Sequence, residues 1–176
     1  QEAEIYRQYG LKMLATVGWP TPLWASDAAD TALPNKSNFI PKKEFMDMHY
    51  NYYSELGRRF KDVAYFEIGN EVDASNFWSG SLKNAMNGDD NGIFNDYVAY
   101  YVQTAKAIKA GNPNAKIGPG TTGAVPEGHT YKDWMNRFWT SPAVEYTDIF
   151  CPHYSADLHK IREVMAEHNK VVPVVI

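Results

Sequence analysis

Cysteine is almost missing. The 176-residue chain has one, Cys151, which excludes an internal disulfide and a zinc site built on cysteine. Basic charge is not in excess: 17 Lys and Arg against 21 Asp and Glu leave a net charge of −4. The electrostatic footprint of a nucleic-acid-binding protein is therefore absent. No apolar run approaches the roughly 20 residues that span a bilayer, so no membrane partner is expected. The histidines are few and scattered, at 49, 129, 153, 159 and 168. His153 and His159 come nearest to a ligand spacing but would not share a helical face, so no metal site is expected. No Gly-x-Ser-x-Gly elbow occurs, which leaves a serine hydrolase unsupported. Neither an internal repeat nor a low-complexity segment is present, and no signal peptide is visible.

What the chain does have is aromatic weight. Tyr, Phe and Trp number 12, 8 and 5 and together make 14% of the residues. Most should fill the core. Trp19, Trp24 and Trp78, however, fall in segments without helical or strand periodicity. Aromatic platforms in loops suit flat, partly apolar ligands, and sugar rings are one such class.

Strand-like and helix-like patterns alternate. Residues 11–17 read as a strand, followed by a loop that two prolines keep irregular. Residues 42–60 carry Phe45, Met48, His49, Tyr52, Leu56 and Phe60 at helical spacing. Residues 63–68 read as a buried strand. Residues 74–93 read as a long loop. Residues 94–110 form a helix with a stripe of Phe94, Tyr97, Val98, Tyr101, Ala105 and Ile108, stopped by Gly111 and Pro113. Strands at 115–118, 147–151 and 171–176 alternate with helices at 131–139 and 156–168. Long loops after strands and short ones before them imply parallel strands with right-handed crossovers. The pattern alone leaves open a closed barrel or a doubly wound sheet. The first ten residues read as the end of a helix and the last six as a strand in mid-course, so residues 1–176 are expected to be one portion of a barrel, truncated at both ends.

The most informative stretch is Tyr65-Phe66-Glu67-Ile68-Gly69-Asn70-Glu71. A buried strand has no packing reason to end in Asn-Glu. A carboxylic acid beside an amide donor, at the carboxyl end of a strand, suits acid/base chemistry on a polar substrate. Glu67 should share the inward face with Glu71 and be a buried structural carboxylate. The rival motif is Gly118-Pro119-Gly120-Thr121-Thr122-Gly123, which matches a dinucleotide fingerprint. It needs a helix opening inside it, and the loop-like Ala124-Val125-Pro126-Glu127-Gly128 follows instead. A loop at a strand end is the expectation there. Cys151 should pack as a small apolar residue.

These landmarks together resemble the retaining glycosidases of clan A, built on (β/α)8 barrels and including family 39 and family 5 β-glycosidases. The segment Phe66-Glu67-Ile68-Gly69-Asn70-Glu71 is similar to their fourth strand, residues 12–24 to the third strand and its Trp-Pro loop, and residues 115–120 to the fifth. Asp148-Ile149-Phe150-Cys151-Pro152-His153-Tyr154 is similar to the sixth, and residues 170–176 to the approach to the seventh. The resemblance implies an α/β fold, part of a TIM barrel holding about strands 3 to 7. It implies a hydrolase that cleaves O-glycosidic bonds of poly- or oligosaccharide by double displacement, with Glu71 as general acid/base. Asn70 would bond the sugar 2-hydroxyl, Tyr154 would orient the nucleophile, and His153 would line the sugar site. Trp19, Trp24 and Trp78 would stack on sugar. No cofactor is implied, and the substrate class suggests an extracellular or periplasmic setting. The clan's nucleophile is a Glu ending the seventh strand, beyond Ile176, so these residues alone are expected to be inactive. The alternative is a non-catalytic carbohydrate-binding pseudo-enzyme.

Overall fold

The computed structural model describes residues 2–121, 131–153 and 157–176. Four strands, β1 (Leu14–Val17), β2 (Tyr65–Ile68), β3 (Lys116–Thr121) and β4 (Cys151–Pro152), form one sheet. Their order is β1-β2-β3-β4 and every neighbouring pair is parallel. Each strand thus lies beside its predecessor and the winding never reverses. A doubly wound sheet has a reversal in strand order, so this order favours the barrel that the pattern left open.

The helices are α1 (Glu2–Gln8), α2 (Met46–Arg59), α3 (Leu82–Met86), α4 (Asp90–Gly111), α5 (Tyr131–Trp139) and α6 (Leu158–Glu167). Among the described residues no helix is long and apolar enough to cross a membrane. Several boundaries differ from expectation. Lys43–Phe45 is a 3-10 turn that leads into α2. Residues 74–93 are not wholly loop: Ser81 caps α3 by accepting from the Asn84 N–H at 3.4 Å, and Asp89 caps α4 by accepting from the Gly92 N–H at 2.9 Å. Short polar side chains in that stretch looked like loop composition and are helix starts. Asp157 caps α6 in the same way, through the His159 and Lys160 N–H groups at 3.1 and 3.2 Å.

The strand expected at 171–176 contracts to one parallel bridge, Phe150 with Val174. Phe150 N–H donates to the Pro173 carbonyl and Val175 N–H to the Phe150 carbonyl, both at 2.9 Å. Pro173 itself has no N–H to extend the ladder. The strand expected at 147–151 is likewise short, because residues 142–146 form a 3-10 turn that carries the chain to Thr147.

The core lies between the sheet and α4. Phe66, Ile68, Ile117 and Phe150 of the strand segments are fully buried against Tyr97, Tyr101, Ala105 and Ile108 of α4. The expected stripe of α4 is therefore the packed one. Two of its tyrosines also solve a polar problem. Parallel strands release unpaired carbonyls where the chain leaves the sheet, and buried ones need donors. Tyr97 donates its hydroxyl to the Ile68 carbonyl at 2.8 Å, and Tyr100 donates to the Gly18 carbonyl at 2.6 Å. Tyr101 meets the Thr147 hydroxyl at 3.0 Å. Helix α4 thus pins the ends of β1 and β2 as well as covering the sheet.

His49 of α2 joins this layer. Its ring packs against Tyr53 and Tyr100, and Nε2 lies 2.9 Å from the Thr104 hydroxyl. That hydroxyl donates to the Tyr100 carbonyl at 2.8 Å, so the ring nitrogen is the donor to it.

Two outcomes follow for stability. Tyr97→Phe leaves the Ile68 carbonyl without its donor and should destabilise the fold by about 1–3 kcal/mol in urea unfolding. Burial pushes His49 from 6.5 down to about 4. The unfolded chain then binds the extra proton first, so stability is lost as pH falls from about 6.5 towards about 4, by on the order of 3 kcal/mol. His49→Gln should remove that slope, measured as the unfolding midpoint against pH in the two proteins.

Candidate active site

The site is built where β2 ends. Ile68 closes the strand, and the Gly69 N–H donates to the Val17 carbonyl at 2.7 Å. Gly69 has φ +82° and a Cβ there would collide with Val72, so glycine is required twice over. Glu71 follows at φ +49°, a left-handed conformation that costs a non-glycine residue about 1–2 kcal/mol. The Val72 N–H then donates to the Gly120 carbonyl of β3 at 3.1 Å. The turn is thus tied to β1 on one side and β3 on the other, and the strain at Glu71 is held by both ties. Such strain clusters at functional positions.

Glu67 lies inside β2, opposite Thr16 of β1 and Gly118 of β3. It is 2% exposed. The room for its carboxyl comes from Gly120, where any Cβ would run into Glu67 Oε1. This matches the expectation of a buried carboxylate. Burial pushes Glu67 above the usual glutamate range, Glu71 adds to the push, and His153 opposes both.

His153 sits just past β4, its N–H on the Thr121 carbonyl at 2.8 Å. Its ring bridges the two acids. Nε2 is 3.0 Å from Glu67 Oε1, and Nδ1 is 3.2 Å from Glu71 Oε1. The side chain of Glu71 remains 11% exposed and that of His153 23%. One carboxyl therefore reaches solvent at the carboxyl end of the sheet, while the other is sealed beneath it. A largely buried acid whose carboxyl keeps a narrow opening to solvent, backed by an imidazole, can give and take a proton from a ligand above the strand ends.

The remaining expected residues scatter. Asn70 is half-buried next to Glu71 in the turn. Tyr154 lies outside the described residues. Trp19 is half-buried, its Nε1–H on Asn38 Oδ1 at 3.2 Å and its ring edge-on to Phe77 at 5.4 Å. Trp24 is 60% exposed and edge-on to Phe45 at 5.1 Å. Trp78 is 4% exposed, wedged against Tyr97 and Tyr100 with its Nε1–H on the Ile93 carbonyl at 3.3 Å. Trp78 is thus a core ring rather than an open platform, and it also borders a cleft that starts at Val72. Its loop folds back onto α4, which the lack of periodicity concealed.

Beyond Glu71 the chain borders a cleft of about 480 Å³, with Val72, Asp73, Asp133, Trp134 and Arg137 among its walls. Trp134 and Arg137 escaped the sequence reading, since at helical spacing they look like ordinary members of α5. Trp134 stacks on Phe138 at 5.1 Å with a 9° tilt, and Arg137 covers the Phe94 ring at 4.0 Å.

The Gly-rich motif begins in strand, as expected for Gly118, but β3 runs on through Pro119, Gly120 and Thr121 before the loop, and residues 122–130 lie outside the described residues. Small residues there admit Glu67 and the Ile149 backbone, which is a packing reason for the glycines. Cys151 is buried, and burial pushes its thiol far above the usual range. Among the described residues no group of three or more His, Cys, Asp or Glu is arranged to hold a metal.

Neither a protein-family model nor a curated protein matches the chain. Solved structures do. A GH39 β-xylosidase from Caulobacter crescentus superposes with a TM-score of 0.56 at 22% identity, over 97% of this chain and 37% of that one. A monomeric β-xylosidase from Caulobacter crescentus CB15 gives 0.57 at 19% identity, over the same shares of each chain. The fold is glycosidase-like. The chain spans 37% of the length of these two enzymes, in keeping with a partial TIM barrel.

Gly120→Ala should displace the Glu67 carboxyl and destabilise the fold by about 1–3 kcal/mol. Urea unfolding of the variant beside the unaltered protein checks this, and an unchanged midpoint would contradict the packing described.

Proposed function

We propose that this chain carries the acid/base side of the active site of a retaining glycoside hydrolase. The observation that supports it most is Glu71, a solvent-reaching carboxyl at the carboxyl end of a parallel strand, backed by His153 at 3.2 Å. Strand ends of that kind hold the catalytic groups of barrel enzymes. The glycosidase-like fold agrees with this placement.

In the proposed reaction Glu71 donates its proton to the glycosidic oxygen as the bond to the anomeric carbon breaks. A second carboxylate attacks that carbon from the opposite face. Glu71, now ionised, then takes a proton from the water that releases the sugar from the covalent intermediate. Retention calls for the two carboxyls to stand about 5–5.5 Å apart. Glu67 does not serve as the second group, because it is 2% exposed and faces the sheet interior. Asn70 would bond the sugar 2-hydroxyl, and Tyr154 would orient the attacking carboxylate. Trp19 and Trp24 remain the stacking candidates. Trp134 joins them, since it walls the cleft that starts at Val72, the residue after Glu71 in the chain. The two similar structures are β-xylosidases, so β-linked xylo-oligosaccharides are the first substrates to try.

Glu71→Gln in the complete gene product should lower turnover of xylo-oligosaccharides by about 10²–10⁴-fold, the size expected of a general acid/base. An aryl xyloside with a good leaving group needs less protonation and should suffer less in the first, bond-breaking step. Equal small losses on both substrates would rule Glu71 out. Binding of xylo-oligosaccharide with no cleavage by the unaltered protein would point to a pseudo-enzyme.

A further inference from the structure

A proton count in the Glu67–His153–Glu71 chain carries one step further, and it rests on the acid/base reading of Glu71. Both ring nitrogens of His153 lie at hydrogen-bond distance from a carboxyl oxygen, 3.0 Å to Glu67 and 3.2 Å to Glu71. Each contact needs a proton between its two atoms. A neutral imidazole supplies one, so the second sits either on the ring or on a carboxyl. The contact deepest in the protein is the one to Glu67, whose side chain is 2% exposed against 11% for Glu71. Among the described residues neither acid pairs with a lysine or arginine, and His153 is the ion-pair partner of both. A buried carboxylate without a counter-charge is costly. Among the described residues the other titratable groups that interact with Glu67 are the Tyr97 hydroxyl and the Cys151 thiol, which burial keeps neutral.

We propose that Glu67 is a positioning residue that lends its proton to His153 each time Glu71 loses its own. Before bond cleavage Glu71 is protonated, His153 is neutral with its N–H on Nδ1 facing Glu71, and the Glu67 O–H donates to Nε2. The three groups together are uncharged. As the Glu71 proton passes to the leaving oxygen, the O–H bond of Glu67 breaks and an N–H bond forms at Nε2. The ring becomes an imidazolium between two carboxylates, and the set carries one negative charge, matching the single proton lost. When Glu71 takes a proton from the attacking water, the transfer reverses. The positive ring thus exists only while Glu71 is negative, when its field is wanted. No outside charge has to enter the site.

The test reads ring protonation directly. In the complete gene product, ¹⁵N NMR of the His153 ring is compared with that of Glu71→Gln, which mimics the protonated acid. At a pH where Glu71 is ionised, both ring nitrogens should carry protons in the unaltered protein. In Glu71→Gln, Nε2 should be bare and Nδ1 protonated. Glu67→Gln fills the same space but has no proton to lend, so its ring should stay neutral whether or not Glu71 is replaced. Its kcat should fall about 10- to 100-fold, the size usual for a partner that orients a functional histidine, with KM changed less than about twofold. Glu67→Asp keeps the acid and should recover part of the loss. Identical protonation of Nε2 in the unaltered protein and Glu71→Gln would overturn the proposal, as would a kcat for Glu67→Gln within about twofold of the original. An unaltered protein that turns over no glycoside would instead sink the hydrolase reading, while the ring spectra still decide this one.

Discussion

A carboxylate buried in the middle of a parallel strand constrains everything around it. Glu67 is sealed inside β2, and a buried acid persists only with a partner and with space. The partner is His153, brought by β4 two strands away. The space is Gly120 of β3, between them. Three of the four strands are thereby committed to one polar contact. The register that places Glu67 beside Gly118 also places Gly120 under the turn that follows β2. Slipping β3 by one residue would put a side chain into the carboxyl and turn its faces over.

The same contact shapes the exposed end of the site. His153 reaches from Glu67 up to Glu71, so the buried acid and the solvent-reaching acid share one ring. Glu71 can then occupy a strained left-handed conformation because the turn is fastened at both sides, to Val17 and to Gly120. Helix α4 supplies the remaining stiffness. Its tyrosine hydroxyls take up the carbonyls that β1 and β2 release as they end. Rigid strand ends under an acid with a narrow opening to solvent are what positional acid/base chemistry demands.

Much of this was legible in the chain itself. The alternation of strand and helix, the α4 stripe, the burial of Glu67 and the placement of Glu71 at a strand end all follow from periodicity and from one polar pair closing an apolar run. Other features were not legible, for separable reasons. Ser81 and Asp89 looked like loop residues because caps and loops draw on the same short polar side chains. Trp78 looked available because no periodicity marked it, yet its loop folds back onto Tyr97 and Tyr100. Gly118 and Gly120 fall in a motif that matches a dinucleotide fingerprint by pattern alone, and what the pattern hid is their packing role, as strand residues thinned to admit a neighbour's carboxyl and backbone.

The division between the two levels is physical. Burial alternates with local period, so the one-dimensional order of apolar and polar residues was enough to determine most of the elements, their parallel sense and the acid at the end of β2. Pairing between distant residues has no local period. The meeting of His153 with Glu67 and Glu71 spans 86 and 82 residues. It exists because β4 lies beside β3 and β3 beside β2. Strand order, the glycine that makes room and the ring that joins the two acids were decided only when the sheet assembled, since only there do those atoms share a volume.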